Sequence, residues 1–293
     1  MGIPAPWLKG GPPTHLPSLV EYFEKDGKYQ IKTFYFGSEK QDGNENAIAK
    51  IFHTLKILGR FILLIIRFRP QIIHLNSAFD KNSILRDVPF SLVSKLASKP
   101  LLFKVHGSHN ELLYTKNPVV LFMVRLYFWG ASKVGVLSEF EKNEFVQQFG
   151  NASKLIVVKN IVKNADAEFK DSSEKINAQY DALFVSRIEY GKGLEDLLQA
   201  IPLIVETYPS FVLAVAGSGR ALNQYKELAD ELKIQLHVRW LGHIHNEELK
   251  NVFKESKIFV FTSHFPEGMP MSMVEALFYG MPVITTKNRF AVS

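Results

Sequence analysis

The chain has 293 residues, of which 46% are hydrophobic and 22% charged, so it is long enough for two globular domains with separate cores. It contains no cysteine, which excludes disulfide frameworks, Cys-based zinc sites and thiol nucleophiles, and favours a reducing cytoplasm. The N-terminal residues do not predict a signal peptide, and the most apolar run, 57–66, does not predict a membrane span because basic residues interrupt and flank it.

The charge is distributed unevenly along the chain. Residues 1–160 carry 21 Lys and Arg against 12 Asp and Glu, whereas residues 161–293 carry 14 against 17. A basic surface attracts nucleic acid, anionic lipid or a phosphorylated substrate, and charge alone does not choose among them. The apolar and basic stretch from Lys50 to Arg69 suggests peripheral contact with the inner membrane face, although an amphipathic helix packed on a sheet is the simpler interpretation.

Short β-branched runs alternate with longer amphipathic stretches, which predicts an α/β fold. The runs that predict strands are 29–36, 71–75, 101–105, 133–137 and 155–158, followed by 181–187, 211–216, 235–240, 258–261 and 282–285. In the second half, the stretches near 193–207, 220–233, 246–256 and 270–280 predict helices. Residues 1–160 form the first predicted domain, 161–178 a polar linker and 179–293 the second domain. We expect two Rossmann-like parallel sheets facing a cleft, with functional residues just after the carboxyl ends of strands.

Two basic residues lie at and just after the end of the first predicted strand of the second domain. Arg187 is the last residue of this strand and Lys192 lies between it and a helix, so a guanidinium and an ammonium would stand beside helix amides and form an anion site. Gly191 and Gly193 would let the backbone approach a ligand. A solvated basic turn is the simpler interpretation of the two charges alone.

A glycine pair follows the next predicted strand. Gly217 and Gly219 would leave room for a ligand against exposed amides. This signal is weak by itself, because a dinucleotide fingerprint needs a third glycine and position 222 is Leu.

The strongest signal is the segment 263–276, SHFPEGMPMSMVEA. Glu267 lies in the loop after predicted strand 258–261, and Glu275 lies one to two turns inside the following helix. Two carboxylates at this spacing can bind separate hydroxyl pairs of one polyol ligand. A charge placed to suit the helix dipole explains Glu267 tolerably and Glu275 badly.

Together these motifs, Arg187-x4-Lys192, Gly217-x-Gly219 and Glu267-x7-Glu275, resemble glycosyltransferase family 4, a group of retaining enzymes of the GT-B fold. The resemblance implies transfer of a sugar from a UDP- or GDP-sugar to a hydroxyl of a saccharide or lipid-linked acceptor, in the synthesis of cell-surface polysaccharide or glycoconjugate. It implies no metal, no other cofactor and no nucleic-acid partner. It also implies a cytoplasmic enzyme that is either free in the cytoplasm or bound peripherally to the inner membrane face.

Residue roles are carried over from the same resemblance. Arg187 and Lys192 would neutralise the donor diphosphate, Glu275 would take the ribose hydroxyls and Glu267 would face the donor sugar. The loop residues Gly268 and Met269 would hold the donor sugar, and the base would lie near Ile244. In the first domain, a glycine loop with Gly10 and Gly11 would contact the donor phosphate. His106, just after predicted strand 101–105, would contact the donor sugar from the first domain.

The resemblance further implies that both ends of the chain are cut. The apolar strand that precedes the glycine loop in the family is expected to be missing, and so are the elements that follow predicted strand 282–285. This expectation leaves open whether the chain alone is active.

Three other classes remain as alternatives. A GT-B-like sugar-nucleotide epimerase would need paired carboxylates in the first domain, where Asp80, Asp87 and Glu111 form no clear pair. An inactive nucleotide-sugar-binding fragment is favoured by the cut ends and disfavoured by the intact donor residues. A nucleotide-redox protein is supported by the glycine pair alone.

Overall fold

The computed structural model describes residues 1–3, 11–36, 47–160, 178–288 and 291. The contacts within the chain divide it into two compact units, Met1–Lys163 (unit 1) and Asn164–Val292 (unit 2). Apart from Ala178, the predicted linker 161–178 lies outside the described residues.

Unit 1 is built on a six-stranded parallel sheet with the strand order β2-β1-β3-β4-β5-β6. Its strands are β1 (Gly2–Ile3), β2 (Phe34–Tyr35), β3 (Ile73–Phe79), β4 (Leu101–Ser108), β5 (Lys133–Val136) and β6 (Leu155–Val157). Its helices are α1 (Gly11–Asp26), α2 (Ala47–Phe68), α3 (Lys81–Leu96), α4 (Asn110–Leu113), α5 (Pro118–Gly130) and α6 (Glu139–Phe149). The core joins one face of the sheet to α2, α3, α5 and α6, with fully buried aromatic side chains at Phe61, Phe90, Phe103, Tyr127 and Phe145.

The start of the chain differs from the sequence expectation. Gly2 and Ile3 form a short strand between β2 and β3, where we expected the first strand to be missing. Glycine suits position 2 because a Cβ atom there would lie 2.7 Å from Cδ2 of Leu75. The predicted strand 29–36 is shorter, with only Phe34–Tyr35 paired, since β1 offers it just two residues. The neighbours of β1 in the sheet are β2 and β3.

Unit 2 is a five-stranded parallel sheet with the order β11-β10-β7-β8-β9. Its strands are β7 (Tyr180–Val185), β8 (Leu213–Ala216), β9 (Val238–Gly242), β10 (Ser256–Phe261) and β11 (Val283–Thr285). Its helices are α7 (Leu194–Thr207), α8 (Leu222–Glu231), α9 (Asn246–Lys254) and α10 (Met271–Phe278). One core packs α7 and α8 on the sheet and a second packs α9 and α10, so helices cover the sheet on both sides.

The strand order of unit 2 defines where a ligand can enter. The chain runs from β7 to β8 in one direction along the sheet, but from β10 to β11 in the other. Because β7 and β10 are neighbours whose following helices, α7 and α10, pack on opposite sides of the sheet, their carboxyl ends form a topological switch point, the place where such sheets bind ligands; we call it the β7/β10 crevice. The predicted site residues Arg187 and Lys192 lie in the loop after β7 and Glu267 lies in the loop after β10.

Candidate functional site

The two loops at the crevice are tied together by hydrogen bonds. The amide of His264 donates to the carbonyl of Gly191 (2.9 Å), and the hydroxyl of Thr262 donates to the carbonyl of Gly193 (2.6 Å). Gly193 has a positive φ of 81°, and a Cβ there would lie 2.0 Å from the carbonyl oxygen of Thr262. Glycine is therefore required for the loop after β10 to reach the start of α7.

Lys192 and Glu267 meet directly in this crevice. Nζ of Lys192 lies 2.5 Å from Oε1 of Glu267, and the two side chains are only 12% and 18% exposed. The hydroxyl of Ser263 donates to the same Oε1 at 2.8 Å, and the ammonium lies 5.0 Å from the ring centre of Phe265. Both bonds go to Oε1, so Oε2 accepts no hydrogen bond from a described residue.

Arg187 stands at the same edge of the sheet. Its side chain is exposed, and it makes no hydrogen bond or ion pair with any residue that the structure describes. Its neighbour Ile188 is fully buried and fixes the backbone of the loop. At the start of α7 no side chain caps the first backbone amides, because the N-cap residue is Gly193. The edge thus combines a guanidinium open to a ligand with the positive end of a 14-residue helix.

Glu275 lies on α10, in the second turn of a helix that begins at Met271. The side chain is partly buried, and burial raises its pKa from 4.5 to about 7. Within the described ranges its carboxylate has no hydrogen-bond or ion-pair partner, so no described residue of unit 2 offsets the desolvation. A carboxylate held in this way is typical of a functional site rather than of a stabilising charge.

The structure gives the glycine pair a role other than the predicted open space. A Cβ at Gly217 (φ 147°) would lie 1.9 Å from the carbonyl oxygen of Ser186, and one at Gly219 would lie 2.2 Å from that of Ile188. The amide of Ile188 also donates to the carbonyl of Ser218 at 3.0 Å. Both glycines therefore bring the β8–α8 loop against the loop that carries Arg187.

Three other residues of unit 2 were predicted to contact the donor, and the structure places them as follows. Gly268 is buried and Met269 partly buried, just before Pro270 at the N-cap of α10. Ile244 follows β9 and packs on the core beneath α9 and α10. The role of Ile244 as a base contact stays a prediction.

Unit 1 holds the remaining predicted residues. His106 lies inside β4, near its carboxyl end, rather than after the strand, because β4 runs on to Ser108. Nε2 of His106 lies 2.8 Å from Oδ1 of Asn76 on β3. Gly11 is the first residue of α1, and Gly10 lies outside the described residues.

Sequence reasoning missed Ser263 and Phe265 beside Lys192 and Glu267 in unit 2, and Asn76 beside His106 in unit 1. Ser263 and Phe265 stood inside the strongest motif, but polarity and aromaticity alone did not show that they contact Glu267 and Lys192. A signal for Asn76 was present in the sequence: His74 and Asn76 are two polar residues on the same face of a buried strand. A buried polar side chain needs a hydrogen-bond partner, so Asn76 could have been expected to contact another polar group.

Metal centres and membrane spans are both missing from the described part of the chain. No group of three or more His, Asp or Glu side chains among these residues could hold a metal ion. No helix in the described ranges is both long and apolar enough to cross a membrane.

Comparison with solved structures identifies the class of fold. Anabaena HepE in complex with UDP and glucose is 18% identical and superposes with a TM-score of 0.62, covering 93% of this chain and 71% of that one. The lipopolysaccharide outer core galactosyltransferase WaaB in its apo form is also 18% identical, with a TM-score of 0.65 over 97% and 78% of the two chains. With its two parallel-sheet units, the chain has the GT-B fold predicted from the sequence.

Comparison of sequences finds relatives among the glycosyltransferases. Residues 166–293 match the family model of glycosyl transferases group 1. An uncharacterised glycosyltransferase of Methanocaldococcus jannaschii is 27% identical over 92% of this chain and 71% of its own length. One subunit of the phosphatidylinositol N-acetylglucosaminyltransferase of Homo sapiens is 26% identical over 83% of this chain, which spans only 48% of that protein.

Proposed function

We propose that the chain transfers a sugar from a nucleoside-diphosphate sugar to an acceptor hydroxyl with retention of the anomeric configuration. The observation that carries this proposal is the charge arrangement at the β7/β10 crevice, where Arg187 and Lys192 adjoin the N-terminus of α7 and Glu275 is an acid without a described partner. The solved complexes of HepE with UDP and with UDP-glucose support a nucleotide-sugar donor.

The cations would stabilise the leaving group. When the bond between the anomeric carbon and the donor phosphate breaks, negative charge grows on the diphosphate oxygens. Arg187 can bind them bidentately, and Lys192 has three N–H donors, so it can keep Glu267 and still donate to a phosphate. Preorganised donors of this kind are each worth about 3–4 kcal/mol of barrier. Because these cations supply the compensating charge, we propose that transfer needs no metal.

The acids would hold hydroxyl groups of the donor. Oε2 of Glu267 is available to accept from a sugar hydroxyl, while Lys192 and Ser263 fix the carboxylate through Oε1. The carboxylate of Glu275 can accept from both hydroxyls of a ribose. The acceptor hydroxyl then forms its bond to the anomeric carbon on the face from which the diphosphate departs, and its proton passes to the departing phosphate oxygen.

Calorimetry with UDP and uridine tests these roles separately. We expect Lys192→Met to weaken UDP binding about 10–100-fold and leave uridine binding unchanged, because uridine has no diphosphate. We expect Glu275→Ala to weaken both ligands alike, since both carry the ribose. Lys226→Met, at an exposed position of α8, is the matched control. Equal UDP affinity in wild type and Lys192→Met would refute the diphosphate site, and loss of UDP binding in EDTA would refute metal independence.

A lipid-linked acceptor is favoured by the outer face of α2. Its buried face, with Ile57 and Phe61, packs on the sheet, as predicted for an amphipathic helix. The opposite face exposes a continuous apolar stripe, which we name the α2 stripe: Ile48, Ile51, Phe52, Leu55, Ile62, Leu63 and Ile66. Phe52 is 70% exposed, a large cost in water for a side chain of this size.

The charge of α2 indicates what would cover the stripe. The helix contains no Asp or Glu, and Lys56, Arg60 and Arg67 follow one border of the stripe at helical spacing. We propose that the α2 stripe lies on an anionic lipid surface, where the apolar side chains enter the acyl boundary and the cations meet headgroups.

Vesicle sedimentation tests this contact. We expect binding to phosphatidylcholine vesicles that contain about 30 mol% phosphatidylglycerol, weaker binding to pure phosphatidylcholine, and loss of binding in Phe52→Ser/Leu55→Ser. Leu203→Ser/Leu236→Ser removes two apolar side chains of unit 2 that are at least as exposed, and this variant should bind as wild type does. Absence of wild-type binding, or equal loss in both double variants, would overturn the proposal.

A further inference from the structure

Asn76 connects three strands of unit 1 through its side chain. It lies on β3, is buried at 6% exposure, and pairs in register with Lys104 of β4. Its Nδ2 donates to the carbonyl of Gly2 in β1 at 2.8 Å, and its Oδ1 lies 2.8 Å from Nε2 of His106 in β4. The amide group of Asn76 therefore uses each of its two ends on a different neighbouring strand.

The contact with Gly2 fixes the orientation of the amide. A backbone carbonyl oxygen can only accept a hydrogen bond, so the NH2 end of Asn76 must face Gly2. The Oδ1 end must then face His106, and Oδ1 also can only accept. A hydrogen bond at this distance exists only if Nε2 of His106 carries the proton.

We propose that Asn76 is a positioning residue that holds His106 as the Nε2–H tautomer. In this tautomer the neutral ring carries its lone pair on Nδ1, which accepts hydrogen bonds. Nδ1 is buried, and in this tautomer it can only accept, so a group that bonds to it must be a donor such as a hydroxyl and not a carbonyl or an ionised phosphate oxygen. The tautomer itself does not depend on the proposed function.

Other titratable groups share this region of the sheet. They are His74 of β3, Lys104 of β4 and the amino group of Met1 beside β1. Burial together with the charges of Lys104 and the Met1 amine lowers the pKa of His74 to about 4, so His74 stays neutral near pH 7. Burial also lowers the pKa of Lys104 to about 8. His74 thus serves as an internal neutral reference for His106.

Nitrogen-15 NMR of histidine-labelled protein tests the proposal. Long-range proton–nitrogen spectra distinguish the two tautomers, and His106→Gln assigns the signal. We expect His106 to be the Nε2–H tautomer in wild type and a mixture in Asn76→Ala. In Asn76→Asp the carboxylate would favour imidazolium and raise the pKa of His106 by about 1 unit relative to wild type. Asn82→Ala, on the exposed side of α3, should leave the spectrum unchanged.

The outcomes separate this inference from the proposed function. An Nδ1–H tautomer in wild type, or an unchanged tautomer in folded Asn76→Ala, would overturn the inference whatever the protein binds. If Asn76→Ala does not fold, the pKa shift in Asn76→Asp decides, and no shift refutes the contact. Failure of the wild-type chain to bind UDP, with the tautomer as expected, would instead refute the proposed function alone.

Discussion

Replacing Glu275 by Gln is expected to stabilise unit 2 at neutral and alkaline pH. Gln has the shape of Glu without its charge, so the variant removes the desolvation of an ionised side chain that lacks a described partner. The same change should weaken uridine binding, because a carboxylate accepts a ribose hydroxyl more strongly than an amide does. Stability and binding would then move in opposite directions at one position.

The size and sign of the effect follow from the pKa of Glu275. Burial raises it from 4.5 to about 7, and at about 1.4 kcal/mol per pH unit this rise corresponds to about 3 kcal/mol. Because the side chain is only partly buried, solvent screening reduces the expected gain to about 1–2 kcal/mol. The folded state binds more protons than the unfolded state in this window, so wild-type stability falls as pH rises from about 4.5 to 7 and is level above it.

Urea unfolding at pH 5 and pH 8 measures the effect in unit 2. With Trp7 and Trp129 replaced by Phe, fluorescence of Trp240 reports on the α7 and α8 core. Glu275→Gln should raise the free energy of unfolding at pH 8 and change it little at pH 5. Glu227→Gln, at an exposed position of α8, should change neither by more than about 0.5 kcal/mol. A destabilised Glu275→Gln at pH 8, or an equal gain at both pH values, would refute the reasoning.

The remaining predictions concern the site, its loops and the sheet of unit 1. If ribose binds the ionised form of Glu275, calorimetry in buffers of different ionisation enthalpy should show proton release on uridine binding at a pH just below 7, and Glu275→Ala should show none. Gly217→Ala should shift the Arg187 loop and cost about 2 kcal/mol or more by urea unfolding, whereas Gly59→Ala, an exposed helix position with open space, should gain about 0.5–1 kcal/mol. Asp80→Ala removes the cap that accepts from two amides at the start of α3 and should cost about 1–2 kcal/mol, measured by thermal unfolding. In hydrogen exchange, the amides of β1 and β2 should exchange faster than those of β7, β8 and β10, because the first two strands pair over only two residues.

The sequence predicted the elements that depend on local pattern. The parallel sheets follow from apolar runs. At the start of α6 the side chain of Ser138 accepts from the amide of Glu141, which is one half of a capping box. The carboxylate of Glu141, however, accepts from the amide of Leu137 and the hydroxyl of Ser108. Partners distant in sequence, such as Ser108, cannot be read from spacing. The pairing of Lys192 with Glu267 was unpredictable for the same reason, since 75 residues separate the two.

Packing explains the other differences between prediction and structure. Apolar side chains predicted strand 29–36, but a strand extends only as far as its partner, and β1 provides two residues. In the same way, the glycine pair after β8 looked like space for a ligand, whereas the two positions touch carbonyl groups of the neighbouring loop. A sequence pattern shows that small residues are needed and leaves open whether backbone or ligand occupies the space.

The glycines and charges of unit 2 act on one loop. Gly217 and Gly219 hold the backbone at Ser186 and Ile188, on either side of Arg187, so the guanidinium projects from a fixed backbone. The hydrogen bonds at Gly191 and Gly193 hold the other end of this loop to the segment after β10. A loop fixed at both ends lets Arg187 bind an anion without first ordering the backbone, which reduces the entropic cost of binding. The charge of Arg187, which has no partner among the described residues, and the desolvated carboxylate of Glu275 do not stabilise this unit. Binding of a ligand, as we propose, would explain why both charges are present.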